Sequence, residues 1–269
     1  MRTRALPALL FLFLLPGARA WAGELYSFTL EHHEGLVDQV RTGRVLIDGE
    51  HGSRYRLELD PEADPRPFDV LISTGKDGET GLDLAGRTHY TLKAPDPSEP
   101  TTRALWFFAR REDGKVGKVK VETRDAPGPE SVAGLSARRY ETSVSYDLKV
   151  KFLSETLRGQ VTIQEVSWMA EDRTLPLPSL LRTEVRTALP EVDAALAQAR
   201  SRLRGFPVKT QVTVDIDMGQ GSQRQTFVYA LAVHDLKPAE TPRSVFEVPS
   251  GFRYEQPVMT RPGMSSPGG

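Results

Sequence analysis

Apolar and polar residues alternate along most of this chain, a pattern typical of β-strands with one buried face. The alternation is clearest in residues 55–59, 144–150 and 212–218. Weaker examples occur at 26–30, 45–47, 119–121, 161–163 and 227–233. We therefore predict eight or more strands.

Glycine and aspartate occur between these segments, and both residues tolerate the backbone angles of tight turns. The turn signals are Asp48-Gly49, Asp77-Gly78, Asp113-Gly114 and residues 219–221. Because the connections between strands are short, the pattern predicts an antiparallel meander rather than parallel strands joined by helices. One face of the sheet should be apolar and the other polar.

One region, residues 178–205, has apolar residues at helical spacing. The spacing predicts one helix that carries Leu181, Val185 and Leu189. A second helix should carry Val192, Ala195, Leu196, Ala199 and Leu203. Ser179 is suited to cap the first helix, Pro190 to begin the second, and Gly205 to end it. Both helices should cover the apolar face of a curved sheet.

Two stretches carry less information. Residues 94–111 include Leu105-Trp106-Phe107-Phe108 and fit either a loop that leads to a short buried strand or a helix. Residues 256–269 are rich in proline, glycine and serine, which predicts a disordered tail. No repeat and no linker divides the rest, so we predict a single domain over residues 21–255.

The first 20 residues have the features of a secretory signal peptide. Arg2 and Arg4 precede a short apolar run at 9–15, and Ala18-Arg19-Ala20 offers a cleavage site. Seven apolar residues are too few for a membrane span, which needs about 20. We therefore predict a periplasmic or secreted protein without a stable membrane span.

The amino-acid composition argues against several classes of function. Without the three arginines of residues 1–20, 32 of the 35 basic side chains remain against 36 acidic ones, a formal net charge of −4. This balance argues against a nucleic-acid partner, which favours clustered basic residues. The chain has no cysteine, so disulfides, thiolate metal sites, cysteine nucleophiles and a lipid-modified cysteine are excluded.

Candidate catalytic residues do not form a recognisable motif. His32 and His33 are neighbours on a predicted strand and should point to opposite faces, so they are poorly placed to share a metal ion. Ser136 follows only one of the two glycines of a nucleophile elbow. Asp215 and Asp217 share one face, but alternation places that face in solvent. We predict a protein that is not an enzyme and needs no metal or cofactor.

Large aromatic residues fall on the predicted apolar face, where they could line a concave ligand site. The predicted ligand-binding residues are Tyr26, Phe28, Tyr55, Tyr146, Trp168, Phe227 and Tyr229. Two interpretations stay open at this point. The residues line a groove for acyl chains, or they fill an ordinary core beneath the helices.

Several segments resemble a known group of proteins. They are Gly205-Phe206-Pro207-Val208-Lys209 before a long strand, residues 231–237, and residues 244–254 with Phe246-Glu247-Val248-Pro249 and Gly251. Residues 43–49, 55–58 and 165–170 fit the same plan more loosely. Together they resemble an exported bacterial family of unknown function that is related in fold to the periplasmic lipoprotein carriers of the Lol type.

The resemblance implies a mainly β (α+β) fold, a strongly curved antiparallel half-barrel with helices over its concave face, in which Phe246 is an inward anchor. It also implies binding of an acyl chain, a lipid or a lipidated protein in an apolar groove. The predicted helical pair departs from this family, which usually has a short connection there. The alternative is an envelope interaction or structural protein that has a filled core and binds a protein partner.

Overall fold

The computed structural model describes residues 22–35, 37–49, 51–63, 67–75, 78–92, 101, 105, 115–152, 155–219 and 224–255. Strands dominate these residues, as the alternation predicts. The strands are β1 (Ala22–Glu34), β2 (Val37–Ile47), β3 (Tyr55–Leu59), β4 (Val70–Ser73), β5 (Glu79–Asp83), β6 (Thr88–Leu92), β7 (Lys115–Val116), β8 (Lys120–Val132), β9 (Leu135–Phe152), β10 (Glu155–Ala170), β11 (Phe206–Asp217), β12 (Gln225–Glu240) and β13 (Arg253–Tyr254).

All thirteen strands belong to one sheet, whose order is β13-β6-β5-β4-β3-β2-β1-β12-β11-β10-β9, with β7 and β8 both paired to β9. Two meanders meet where β1 pairs with β12. Every pair is antiparallel except β13 with β6. Within the described residues β13 does not pair with β7 or β8, so the sheet is open rather than a closed barrel. The mainly β, antiparallel prediction is confirmed.

One face of this sheet carries most of the core, which divides into two apolar clusters. The first cluster is centred on Tyr26, Phe28 and Phe206 and extends over β1 to β4, with further residues from β9 to β12. The second cluster is centred on Tyr146 and Phe227 and extends over β9 to β12. We call the face that carries both clusters the buried face.

The segment before the helix, residues 171–189, differs from the prediction. It contains only a short 3-10 turn at Ser179–Leu181 and is otherwise not helical, so the predicted first helix is wrong. Leu181 and Val185 are four residues apart, a spacing that fits an extended chain with a period of two as well as a helix. Thr187, two residues after Val185, is also fully buried, which agrees with the period of two. We call residues 171–189 the strap. Its Leu181 joins the first cluster and its Val185 the second.

The predicted second helix is confirmed as α1 (Pro190–Arg200), with Pro190 in its first turn. It ends at Arg200, however, so the prediction that it carries Leu203 and ends at Gly205 is wrong. Glu191 and Asp193 lie near its amino end and Arg200 near its carboxyl end, in agreement with the helix dipole. Its buried residues Val192 and Leu196 pack in the second cluster. Cover by two helices is therefore replaced by one helix and an extended strap.

Phe246 is buried, but not where the resemblance places it. It belongs to a 3-10 turn, Arg243–Phe246, and packs with Val70, Ile72 and Leu82 in a third cluster. Leu71, between Val70 and Ile72 on β4, belongs to the first cluster. Because successive strand residues point to opposite faces, Phe246 covers the face opposite the buried face, and its prediction as an inward anchor is wrong.

Several predicted features fall wholly or partly outside the described residues: the signal peptide at 1–20, the turn signals at 77–78, 113–114 and 219–221, the aromatic run Trp106 to Phe108, and the tail at 256–269. Leu105, next to that run, is helical and lies in the second cluster. Among the described residues, no helix has the length and hydropathy of a membrane span.

Candidate functional site

Six of the seven predicted ligand-binding residues lie on the buried face. Tyr26, Phe28 and Tyr55 belong to the first cluster. Tyr146, Phe227 and Tyr229 belong to the second cluster. Each of the six is at most 9% exposed. The structure therefore brings them together as two groups of three on one face.

The structure places the seventh residue, Trp168, elsewhere. Its neighbour Ser167 points to the buried face and is 2% exposed, whereas Trp168 is half-buried, packs against the first cluster and lies beside two cations. The ring lies 5.4 Å from the Arg139 guanidinium and 4.8 Å from the Lys209 ammonium, and its Nε1 donates to Glu130 at 2.9 Å. Cation–π contacts with charged strand neighbours are typical of an outer sheet surface.

A line of polar side chains crosses the buried face at the edge of the second cluster, and no sequence motif indicates it. In register across the sheet, Thr142 of β9 pairs with Glu165 of β10, and Glu165 with Val212 of β11. The register then continues through Tyr229, His32 and Gln39, on β12, β1 and β2. We call Thr142, Glu165, Tyr229, His32 and Gln39 the polar row. Five of the six strands that the row crosses contribute a polar side chain, and buried polar groups require specific partners.

At β10 the polar row has a cation from the helix above it. The Arg200 Nε donates to Glu165 Oε2 at 2.9 Å, and Arg200 Nη1 donates to the Val185 carbonyl at 3.3 Å. The Glu165 and Arg200 side chains are 9% and 18% exposed. This ion pair fastens the end of α1 to the sheet and satisfies the buried carboxylate.

At β12 and β1 the polar row lacks such a cover. The rings of His32 and Tyr229 stack with centroids 4.5 Å apart and an interplanar angle of 22°. His32 Nε2 lies at ion-pair distance, 3.5 Å, from Glu34 Oε2, and it has no hydrogen-bond partner among the described residues. The His32 side chain is 28% exposed, so this end of the row reaches solvent. Arg41 lies one row away on β2 and donates to Gln39 Oε1 at 3.2 Å.

Burial holds His32 in its neutral form. Desolvation lowers the pKa of His32, Glu34 partly opposes that shift, and Arg41 adds to it. Burial also raises the pKa of Tyr229, and Glu34 raises it further. Both rings are therefore uncharged near neutral pH.

Three tyrosine hydroxyls on the buried face are unpaired. Among the described residues, the hydroxyls of Tyr26, Tyr146 and Tyr229 have no hydrogen-bond partner. Tyr55 differs, because its hydroxyl donates to Glu79. Leaving a buried hydroxyl unpaired costs about 1–3 kcal/mol, so each of the three hydroxyls gains from a further hydrogen-bond partner.

Glu79 fastens the strap to the sheet. Its Oε1 accepts from the Ser179 backbone N–H at 2.7 Å, and its carboxylate also accepts from the Ser179 and Tyr55 hydroxyls. Ser179 was predicted to cap a helix, but the 3-10 turn has no side-chain cap. The serine hydroxyl contacts β5 instead.

Replacing Glu79 by alanine should loosen the strap locally. Three hydrogen bonds to one carboxylate are lost, and bonds to charged groups contribute about 1.5–3 kcal/mol each. We expect the Leu181 and Arg182 amides, which donate within the turn, to exchange with deuterium at least about tenfold faster. Glu58→Ala is the matched control, because Glu58 pairs with Arg44 and Arg56 away from the strap. Equal exchange in both variants would show that Glu79 does not hold the strap.

The other candidate residues have structural partners. His33 forms a hydrogen bond with Asp38 at 2.8 Å, away from His32, which confirms that the two histidines point to opposite faces. Burial alone would raise the pKa of Asp215, but hydrogen bonds from Arg224 and Thr226 outweigh it and hold that pKa below its usual value. Within the described residues, no group of three or more acidic or histidine side chains is arranged to hold a metal ion.

A cleft of about 640 Å³ opens near the far ends of β9, β10 and β11. Asp147, Lys149, Arg158 and Asp217 contribute charges of both signs to its walls. Of the predicted aromatic residues, none lines the cleft among the described residues. It lies away from the polar row but borders the second cluster at Leu148.

Comparisons with known proteins find little similarity. No family model matches the sequence, and no curated protein matches it significantly. The crystal structure of a LolA superfamily protein from Nitrosomonas europaea aligns over 84% of this chain and 90% of that chain, at 10% identity and a TM-score of 0.28.

Proposed function

We propose that this protein binds an acyl chain, as a lipid or a lipidated protein, on the buried face of its sheet in the bacterial envelope. It acts by binding rather than by catalysis. The apolar chain gains about 0.8 kcal/mol for each methylene that leaves water, and the strap and α1 close over it.

The observation that carries this proposal is the set of unpaired hydroxyls of Tyr26, Tyr146 and Tyr229. A core that packs only against itself rarely leaves polar atoms without partners. Ligand sites, by contrast, combine mostly apolar walls with a few polar groups that orient the ligand. Three of these groups on one buried face fit a ligand site better than a filled core.

The second cluster is the better place for the chain. It contains two of the three unpaired hydroxyls, and through Tyr229 it connects to the exposed end of the polar row. Its walls come from both the sheet and α1. We propose Tyr146, Phe227 and Tyr229 as the residues that line the chain.

The alternative is an envelope interaction protein with a filled core, and the packing of the first cluster favours it. Tyr26 and Phe206 are both fully buried, and their ring centroids are 5.4 Å apart. Rings in such contact leave no room for a chain between them. In this alternative Tyr26, Phe28 and Tyr55 are core residues, and a partner binds at the rim.

Native mass spectrometry of the exported protein, purified from a bacterial periplasm without detergent, tests the proposal directly. We expect a stoichiometric adduct that organic extraction releases as a lipid or fatty-acyl compound. An apo mass that stays unchanged after lipid is added would favour the interaction protein instead.

Phe227→Ala should shift the preference of the site toward longer acyl chains. The truncation leaves space beside Tyr229 in the second cluster, and each further methylene that becomes buried tightens binding about fourfold. Dissociation constants for fatty acids of increasing length would measure the shift. Phe206→Ala, in the first cluster, is the control and should leave the preference unchanged. An unchanged preference in Phe227→Ala would place the chain elsewhere.

A further inference from the structure

We infer that the His32–Tyr229 end of the polar row binds the uncharged, hydrogen-bonding head of an amphiphile, such as an ester or a glycerol hydroxyl, rather than a carboxylate or a phosphate. This inference rests on the proposed function, because the acyl chain attached to that head occupies the second cluster.

Position is the first argument. Tyr229 is 9% exposed and its ring belongs to the second cluster, whereas its stacking partner His32 reaches solvent. A ligand with an apolar tail in the cluster therefore presents its polar end at this pair. Among the described residues of the polar row, only Tyr229 both packs in an apolar cluster and stacks on a side chain that reaches solvent.

Available hydrogen bonds are the second argument. The Tyr229 hydroxyl and His32 Nε2 are both buried atoms without a partner among the described residues. The hydroxyl can donate and accept, and a neutral imidazole offers one donor and one acceptor. A ligand hydroxyl satisfies either atom, and a ligand carbonyl accepts from the Tyr229 hydroxyl.

Charge balance is the third argument. Glu34 and Arg41 flank the pair with one charge of each sign, and both are close enough to shift the pKa of His32, in opposite directions. The two rings themselves are neutral. A head with a full negative charge would meet the Glu34 carboxylate 3.5 Å from His32 Nε2 without a net positive charge to offset it. An uncharged head has no such cost.

The test compares two ligands that share one chain, 1-monopalmitoylglycerol and palmitic acid, by their displacement of the uncharged apolar dye N-phenylnaphthylamine from the exported protein. We expect the glyceride to bind more tightly than palmitate at neutral pH. Tyr229→Phe should weaken the glyceride about threefold to tenfold, the loss of one hydrogen bond, and leave dye affinity unchanged. Because the hydroxyl is unpaired without ligand, this variant should retain the thermal stability of the parent protein.

Tyr26→Phe is the matched control. It also removes a buried hydroxyl that has no hydrogen-bond partner among the described residues, but Tyr26 belongs to the first cluster and lies six residues along β1 from His32, roughly 20 Å away at the ordinary rise of a strand. We expect it to leave glyceride affinity unchanged.

The outcomes separate the two proposals. Tighter binding of palmitate that Arg41→Gln abolishes would overturn the inference in favour of an anion site, while lipid binding itself would stand. Equal losses in Tyr229→Phe and Tyr26→Phe would also overturn it. Failure of the dye and of both ligands to bind would instead overturn the proposed function.

Discussion

Gly205→Ala should destabilise the protein by roughly 3 kcal/mol or more, as the sum of backbone strain and a steric clash. Gly205 has a φ of +88°, which L-residues with side chains rarely adopt. An added Cβ would lie 2.2 Å from the Ala170 carbonyl oxygen and 2.6 Å from the Glu171 Cα. Both contacts are backbone atoms at the end of β10, so neither can move aside without shifting the sheet or the start of β11.

Gly35→Ala separates these two causes. Gly35 has a φ of +63°. Apart from its two chain neighbours, no described residue has a heavy atom within 4 Å of the position that an added Cβ would take. This control should lose only the strain, about 1–2 kcal/mol. Urea denaturation of both variants measures the difference. Equal losses would mean that Ala170 and Glu171 do not confine the chain at Gly205.

Arg200→Ala should cost about 3 kcal/mol, because it leaves the Glu165 carboxylate buried without its cation. The partner is 9% exposed and depends on the bond from Arg200 Nε at 2.9 Å. The same variant should detach the end of α1 from the sheet and expose part of the second cluster. Thermal denaturation and dye binding would record the two effects.

Two further variants make this prediction specific. Arg224→Ala removes a similar contact, from Arg224 to Asp215 at 2.7 Å, but the arginine is exposed, so a much smaller loss is expected. The double variant Glu165→Leu/Arg200→Met removes both charges and should be more stable than Arg200→Ala alone. A loss in Arg224→Ala as large as in Arg200→Ala would show that burial of the pair is unimportant.

Much of the candidate site was predictable because burial on a strand follows from local alternation. Six of the seven aromatic residues lie on the face that their period of two indicates. Trp168 is the exception. It lies five residues after the buried Ile163, and because this spacing is odd, the alternation of β10 points Trp168 to the outer face. The buried positions between Ile163 and Trp168 are occupied by Glu165 and Ser167. Because both residues are polar, the alternation of β10 is not visible in the sequence, and the large side chain of Trp168 wrongly indicated a buried position.

Elements without alternation were harder to predict. In β4 all four residues, Val70 to Ser73, are buried, because the first cluster covers one face of the strand and the third cluster the other. A strand buried on both faces has no polar period to reveal it. The strap was mispredicted for the opposite reason, since a spacing of four residues satisfies both a helix and a strand.

The sequence by itself determined a mainly antiparallel β protein with turns at its glycines, the helix that begins at Pro190, and the aromatic set of the buried face, because these depend on neighbours within about ten residues. Only the tertiary structure decided that β1 pairs with β12, that an extended strap replaces a helix, and that Glu165, Tyr229 and His32 fall in one row across the sheet. The row depends on the register of strands that are far apart in the chain, and a shift of one residue in any pair would point these side chains to the other face.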